Sequence, residues 1–414
     1  MTASETHGAI EAVWRIEAAR LIAGLARLVR DVGLAEELAQ DALVAALEQW
    51  PREGVPRNPG AWLMTVAKRR GVDLIRRRER YERKLAEIGR ALEDDPGQEP
   101  PGPEEIEDDL LRLVFTACHP VLSTEARVAL TLRVLGGLST DEIARAFLTP
   151  EPTVAQRIVR AKRTLATRKV PFEVPAGEEL AGRLSSVLEV IYLIFNEGYS
   201  ATAGDDWMRP GLCEDALRLG RVLAGLMPKE PEVFGLVALM EIQASRSAAR
   251  LGPSGEPILL LEQNRARWDR LLIRRGLAAL ERAEELTDTM GPYTLQAAIA
   301  ACHARAFTPG ETDWVRIADL YARLAALSGS PVVELNRAVA LAMAYGPEVG
   351  LELVDQIAGE PAMRDYHLLP GVRGDLLFRL GRLGEARAEF ERAAALTRNE
   401  RERVLMEARA AACR

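Results

Sequence analysis

Cysteine is scarce and scattered. Four occur in 414 residues, Cys118, Cys213, Cys302 and Cys413, and no two form a CxxC pair. Neither a zinc ribbon nor a disulfide framework is indicated. Aromatic residues make up only 5% of the chain. No uninterrupted apolar run approaches the length of a membrane span, and no basic stretch followed by an apolar one marks a signal peptide at the N-terminus. The chain has no GxxxxGK[ST] loop, no GxSxG and no HExxH, so the signatures of phosphate cradles, nucleophile elbows and zinc proteases are missing. Cys118-His119 and Cys302-His303 invite a metal reading, but adjacent helical residues point roughly 100° apart and make no chelate. They read as buried small thiols. GPSGEP, from Gly252 to Pro257, reads as a turn. The expectation is a cytoplasmic, reducing, non-enzymatic protein with no cofactor, no metal and no membrane partner.

What is abundant is Ala, Leu, Arg and Glu, which favour helices. The expected fold class is therefore all-α. The net charge of −7 does not by itself suggest nucleic acid; the distribution of charge says more. Ile10, Trp14, Ala18, Leu21, Leu25 and Leu28 recur at helical spacing. A second helix is expected from Leu34 to Trp50, then a break through PREGVPRNPG, then a third helix from Pro59 or Gly60. That helix carries ten Lys/Arg against four Asp/Glu between Val66 and Arg90. Residues 93–109 hold nine acids and no base, with Pro and Gly throughout, and read as a flexible acidic linker. A second helical unit is expected over 110–170. Residues 171–414 read as stacked helical hairpins separated by Gly/Pro turns. Gly381, Ala386, Phe390, Ala393 and Leu396 fall where a tetratricopeptide repeat wants them. EDALRLGRVLAGLMPKEPEV and LNRAVALAMAYGPEVGLELVDQI are looser echoes.

GGLSTDEIARAFLTPEPTVAQRIVRAKRTLATRK reads as a helix-turn-helix. Ser139 or Thr140 caps its first helix and Thr153 its second. Ile143, Ala144 and Phe147 pack inward, as do Val154, Ile158, Ala161 and Leu165. Gln156, Arg157, Arg160 and Arg163 face outward, where Gln and Arg can read base edges or neutralise phosphates. An ordinary αα-hairpin with a solvated basic face is the plainer reading. The basic third helix could likewise be a solvated face. Trp62 beside a polar, proline-rich loop suits single-stranded DNA instead: bases stack or enter pockets while cations hold the backbone.

These motifs together resemble the extracytoplasmic-function type of sigma-70 RNA polymerase sigma factor. EELAQDALVAALEQW is similar to the region 2.2 helix, and Glu37, Gln40 and Asp41 match its polar positions. NPGAWLMTVAKRRGVDLIRRRER is similar to regions 2.3 and 2.4, with Trp62, Leu63, Ala67, Asp73, Arg76 and Arg77 matching; Arg69 stands where many relatives carry Asn. The helix-turn-helix is similar to region 4.2, with Thr153, Val154, Arg157, Arg160 and Ala161 matching. FTACHPVLSTEARVALTLRVLGGLS, LIFNEGYSAT, RWDRLLI, GPYTLQAAIAACHA, TDW and LNRAVA resemble the subgroup with a long tetratricopeptide-like C-terminal extension; relatives more often carry a second Cys where Ala117 stands.

The resemblance implies region 2 over 1–92, the acidic linker over 93–109, region 4 over 110–170 and a regulatory extension over 171–414. It implies core RNA polymerase as partner, through the β′ clamp helices and the β subunit, with Glu37, Gln40 and Asp41 docking. It implies promoter DNA as the second partner. Thr153, Gln156, Arg157, Arg160 and Arg163 would engage the −35 element. Arg57, Asn58, Trp62, Lys68, Arg69, Arg70, Arg76 and Arg77 would engage the −10 element, the loop from Trp50 to Asn58 capturing a flipped base. The linker would thread towards the RNA exit channel, and the extension would contact the sigma domains within the chain and regulate them. The competing reading is a helix-turn-helix regulator with a helical-repeat sensor, acting without polymerase. Asn196, Glu197, Tyr199, Arg267, Trp268 and Asp269 could line a ligand or partner groove; the plainer reading, preferred here, is that they fix helix packing, with Trp268 in the core and Arg267 and Asp269 pairing locally.

Overall fold

The computed structural model describes residues 3–86, 103–147, 149–200, 208–252, 258–397 and 399–413, without the side chains of 3–5, 74–86 and 103–107. Among the described residues there are α-helices and short 3-10 turns but no β-strand. The chain divides into two compact units, Met1–Ile191 and Tyr192–Arg414.

In the first unit, α1 (Ala3–Val29), α2 (Val32–Glu53) and α3 (Pro59–Ala86) pack on one another. Ile10, Ala18, Leu21 and Leu25 are buried as the spacing predicts, whereas Leu28 is exposed. Asp31 caps α2 by accepting from the Leu34 N–H at 3.0 Å. Gly54, at φ +87°, ends it in a conformation that a side chain disfavours. Asn58 accepts the Ala61 N–H at 3.1 Å and opens α3.

The helix α4 (Pro103–Ala117) begins inside the segment expected to be linker. Pro103 is preset for a first helical turn. The rest of the expected linker, up to residue 102, lies outside the described residues. Next come α5 (Thr124–Val134), α6 (Thr140–Ala146), α7 (Glu151–Thr167) and α8 (Glu178–Tyr199).

The division between units falls within α8, beyond the break at Val170–Glu179 where the composition puts it. Hydrogen bonds explain why the first half of α8 belongs to unit 1. Arg183 donates to the Phe115 carbonyl at 3.0 Å and the Ser186 hydroxyl to the Cys118 carbonyl at 2.6 Å. Arg127 donates to Ser186 and pairs with Glu189 at 3.0 Å.

The second unit continues with α9 (Pro210–Leu226), α10 (Pro231–Ala244), α11 (Arg270–Leu286), α12 (Pro292–Arg305), α13 (Trp314–Ser328), α14 (Pro331–Tyr345), α15 (Pro347–Ile357), α16 (Leu368–Arg379), α17 (Leu383–Leu396) and α18 (Glu400–Ala412). Successive helices pack as hairpins. One apolar core joins α10 to α14 and a second joins α14 to α18. In the hairpin of α16 and α17, Ala386, Phe390 and Ala393 are buried at the tetratricopeptide positions. A Cβ on Gly374 would stand 2.9 Å from the Phe390 ring, so the glycine makes the space the aromatic fills. Glu232 caps α12 from another helix, its carboxylate accepting the N–H groups of Tyr293 and Thr294 at 2.8 and 3.1 Å.

Candidate nucleic-acid interface

The helix-turn-helix forms as its sequence dictates at the first helix and departs at the second. Ser139 caps α6, accepting the Glu142 N–H at 3.1 Å, while Glu142 accepts the Ser139 N–H at 2.7 Å. Burial would push the Glu142 carboxyl up, but the Ser139 N–H, its hydroxyl and Arg15 hold it below the usual range. Ile143 and Ala144 are buried, and Phe147 is half-buried. Thr153 does not cap α7. That helix starts at Glu151 after Pro150, because Pro152 is preset for the first turn and carries no N–H to satisfy. Thr153 is therefore an exposed residue of the first turn. Val154, Ile158, Ala161 and Leu165 are buried. Gln156, Arg160 and Arg163 are exposed and Arg157 half-exposed, so these residues make one outward polar face on α7.

The residues expected at the −10 strand lie along α3 and just before it. Arg57 and Asn58 are exposed, as are Arg69 and Arg70, and Lys68 is half-buried. Trp62 packs edge-on against buried Trp50, with ring centroids 5.3 Å apart. The Trp50 indole N–H is buried without a partner among the described residues. The side chains of Arg76 and Arg77 lie outside the described residues. Among the residues expected to dock, all on α2, Glu37 is exposed and Asp41 pairs with Arg70 of α3 at 3.2 Å. Half-buried Gln40 donates to Glu36.

Glu36 joins the two expected DNA-binding regions. It is 2% exposed. Its carboxylate takes Arg133 of α5 at 2.6 Å and Lys162 of α7. Beside it opens a cavity of about 400 Å³, lined by Trp14, Gln40, Arg133, Ser139 and Glu142 among others. Arg15 pairs with Glu142 at 3.3 Å across the same junction, and Arg27 with buried Asp109 at 3.1 Å. The sequence reading missed Glu36, Arg133 and Lys162. The available signal was an acid on the apolar stripe of α2, between Ala35 and Leu38.

The candidate metal pairs do not converge. Cys118 Sγ lies 3.3 Å from the Thr131 hydroxyl, whereas His119 Nδ1 accepts the Val121 N–H at 3.0 Å. Burial pushes the Cys118 thiol up to about 11 and the His119 imidazole down. No cluster of three or more metal-ligating side chains occurs among the described residues. No described helix is long and apolar enough to cross a membrane. Trp268 is buried as expected, but Asp269 does not pair with Arg267. It caps α11, accepting the N–H groups of Leu271 and Leu272 at 2.8 and 3.1 Å.

Three family models match segments of this chain. A family model described as "Sigma-70 region 2" matches residues 16–81 and one described as "Sigma-70, region 4" matches residues 112–165. A third, "Family of unknown function (DUF6596)", matches residues 183–284. The chain is similar to the ECF RNA polymerase sigma factor SigK of Mycobacterium tuberculosis (strain ATCC 25618 / H37Rv), 30% identical over 143 residues, which cover 34% of this chain and 74% of that protein. SigK of Mycobacterium ulcerans (strain Agy99) is 30% identical over 145 residues, covering 34% and 75%. "Uncharacterized protein R00370" of Rhizobium meliloti (strain 1021) is 44% identical over 383 residues, 91% of this chain and 89% of that protein. That alignment is too long to stop at residue 191, so it runs through both units.

Proposed function

Because the chain belongs to the extracytoplasmic-function group of the sigma-70 family, we propose that it docks on core RNA polymerase and directs initiation at a specific promoter set. One observation carries the reading: a single compact unit holds a polar face on α2, a cationic α3 beside an aromatic pair, and an outward Gln/Arg face on α7. Glu37, Gln40 and Asp41 meet the β′ clamp helices. Gln156, Arg157, Arg160 and Arg163 read the −35 duplex, with Thr153 at the helix start. Arg57, Asn58, Trp62, Lys68, Arg69, Arg70, Arg76 and Arg77 hold the opened −10 strand. Flipping a base costs a few kcal/mol, which phosphate neutralisation and polymerase contacts offset.

Unit 2 regulates this activity through contact with the sigma domains. Region 2 is assigned to 1–92, the linker to 93–109, region 4 to 110–170 and the extension to 171–414. A regulator that binds duplex DNA alone has no use for the docking face of α2. The deciding experiment mixes the full chain with core polymerase and a promoter library and reads run-off transcripts. Arg157→Ala with Arg160→Ala is expected to abolish selection of the −35 sequence while leaving core binding within twofold. Duplex binding without any promoter-dependent transcript would refute the proposal.

A further inference from the structure

Unit 2 buries an unusual amount of positive charge in one place. Arg246, Arg250 and Arg265 are 9%, 6% and 5% exposed. They come from the turn after α10 and the turn before α11. The Arg250 guanidinium lies 3.5 Å from the Tyr199 ring centroid, and Arg246 lies 5.9 Å from the centroids of both Tyr199 and Trp268. Arg265 stands 5.0 Å from the Trp268 ring. Moving an ion from water into a protein interior costs several kcal/mol unless hydrogen bonds and a counter-charge compensate. Aromatic faces supply only a small part of that.

The three arginines are not compensated alike. Arg265 is held by the carbonyls of His303 and Ala306 at 3.0 and 2.7 Å and the Thr312 hydroxyl at 3.1 Å. Arg250 donates to the Tyr199 carbonyl. Arg246 is different: among the described residues its guanidinium has no hydrogen-bond or carboxylate partner, the rings of Tyr199 and Trp268 lie 5.9 Å away, and its Nε is buried without an acceptor. Two more buried polar atoms beside it are also unpartnered, Trp268 Nε1 and His303 Nδ1. The local field is cationic. Burial, then Arg246, then Arg265 push the His303 imidazole down to about 3, so it is neutral at pH 7. No carboxylate figures among the charges acting on it.

We propose that Arg246, Trp268 Nε1 and His303 Nδ1 form a binding site for a small molecule bearing an oxyanion, phosphate or carboxylate. The ligand supplies the negative charge that Arg246 lacks. Its oxygens accept from the guanidinium and the indole N–H, and from the imidazole as its Nδ1–H tautomer. The rings of Tyr199 and Trp268 flank the bound group. Guanidinium and indole donors around aromatic walls suit an oxyanion on a small organic body. The site goes beyond the transcription reading and stands whether or not that reading holds.

The test uses the full chain after exhaustive dialysis, titrated calorimetrically with sodium phosphate and, separately, sodium citrate against sodium chloride of equal ionic strength. Saturable binding of one of these anions at one site per chain is expected, weakened at least tenfold in Arg246→Met. Without anion, Arg246→Met is expected to melt no lower than the parent, because it removes an uncompensated buried charge; an arginine needed only for packing would lower the melting temperature. Trp268→Phe keeps the ring and removes one donor, and is expected to weaken binding about fivefold, the size of one lost hydrogen bond. It carries the test should Arg246→Met fail to fold, and unchanged affinity in it then overturns the proposal. So does the absence of saturable binding by either anion, or binding that persists in Arg246→Met.

Discussion

Glu36 sits on the inward face of α2, where Val32, Ala35, Leu38 and Ala39 are also buried. Its carboxylate faces Arg133 and Lys162, whose side chains are 22% and 20% exposed. Both cations retain some contact with water, so the cluster is worth less than a fully buried triad. Glu36→Gln is expected to destabilise unit 1 by about 1–3 kcal/mol, because two cations then lack their shared acid. Urea unfolding followed by hydrogen exchange on α2 and α7 checks this; unchanged protection at both helices would remove Glu36 from the role described. At this scale the sequence was legible wherever a residue's partner lies within a few positions. Ser139 and Glu142 announce their mutual cap, and Val154, Ile158, Ala161 and Leu165 announce their stripe. Glu36 was not legible as a junction, since its partners on α5 and α7 are about a hundred residues away along the chain.

Helices in unit 2 approach closely where one of a pair offers no side chain. A Cβ on Gly235 of α10 would lie 2.4 Å from the Thr294 hydroxyl and 2.7 Å from the Thr294 backbone N on α12. Gly225 of α9 has nothing within 4 Å. The same substitution therefore takes opposite signs. Gly235→Ala is expected to destabilise by about 1–3 kcal/mol through overpacking. Gly225→Ala is expected to stabilise by about 0.5–1 kcal/mol, because alanine is the better helix former. Thermal melts of the two variants suffice, and equal shifts would contradict the packing described. Helical periodicity makes these elements readable, and Gly381, Ala386, Phe390 and Ala393 marked the last hairpin directly. Which glycine meets a neighbouring backbone is a property of two helices at once, and no single-helix pattern contains it.

The all-α character and the order of modules follow from composition and motif. The division between units does not. Proline, glycine and acid between Val170 and Glu179 suggest a boundary, yet Arg183 and Ser186 bond back to α4 and α5 and carry the first half of α8 into unit 1. In the same way Pro103, Glu104 and Glu105 look like linker by composition and act as a helix start. Breaks in composition mark where a helix can stop, whereas tertiary hydrogen bonds decide which core it joins.

All four cysteines are buried. Burial pushes the thiols of Cys118 and Cys213 up to about 11 and about 12, and that of Cys302 upward as well. Since only a thiolate is an effective nucleophile, these three are doubly shielded, by protonation and by packing. The chain thus carries built-in clocks of its own opening. Iodoacetamide is expected to spare all four in the native state and, in subdenaturing urea, to reach Cys118 at the opening rate of unit 1 and Cys213 and Cys302 at that of unit 2. Peptide mass analysis over time reads both rates without adding a probe. Rapid alkylation of Cys118 in the absence of urea would show that its surroundings open far more readily than its burial requires.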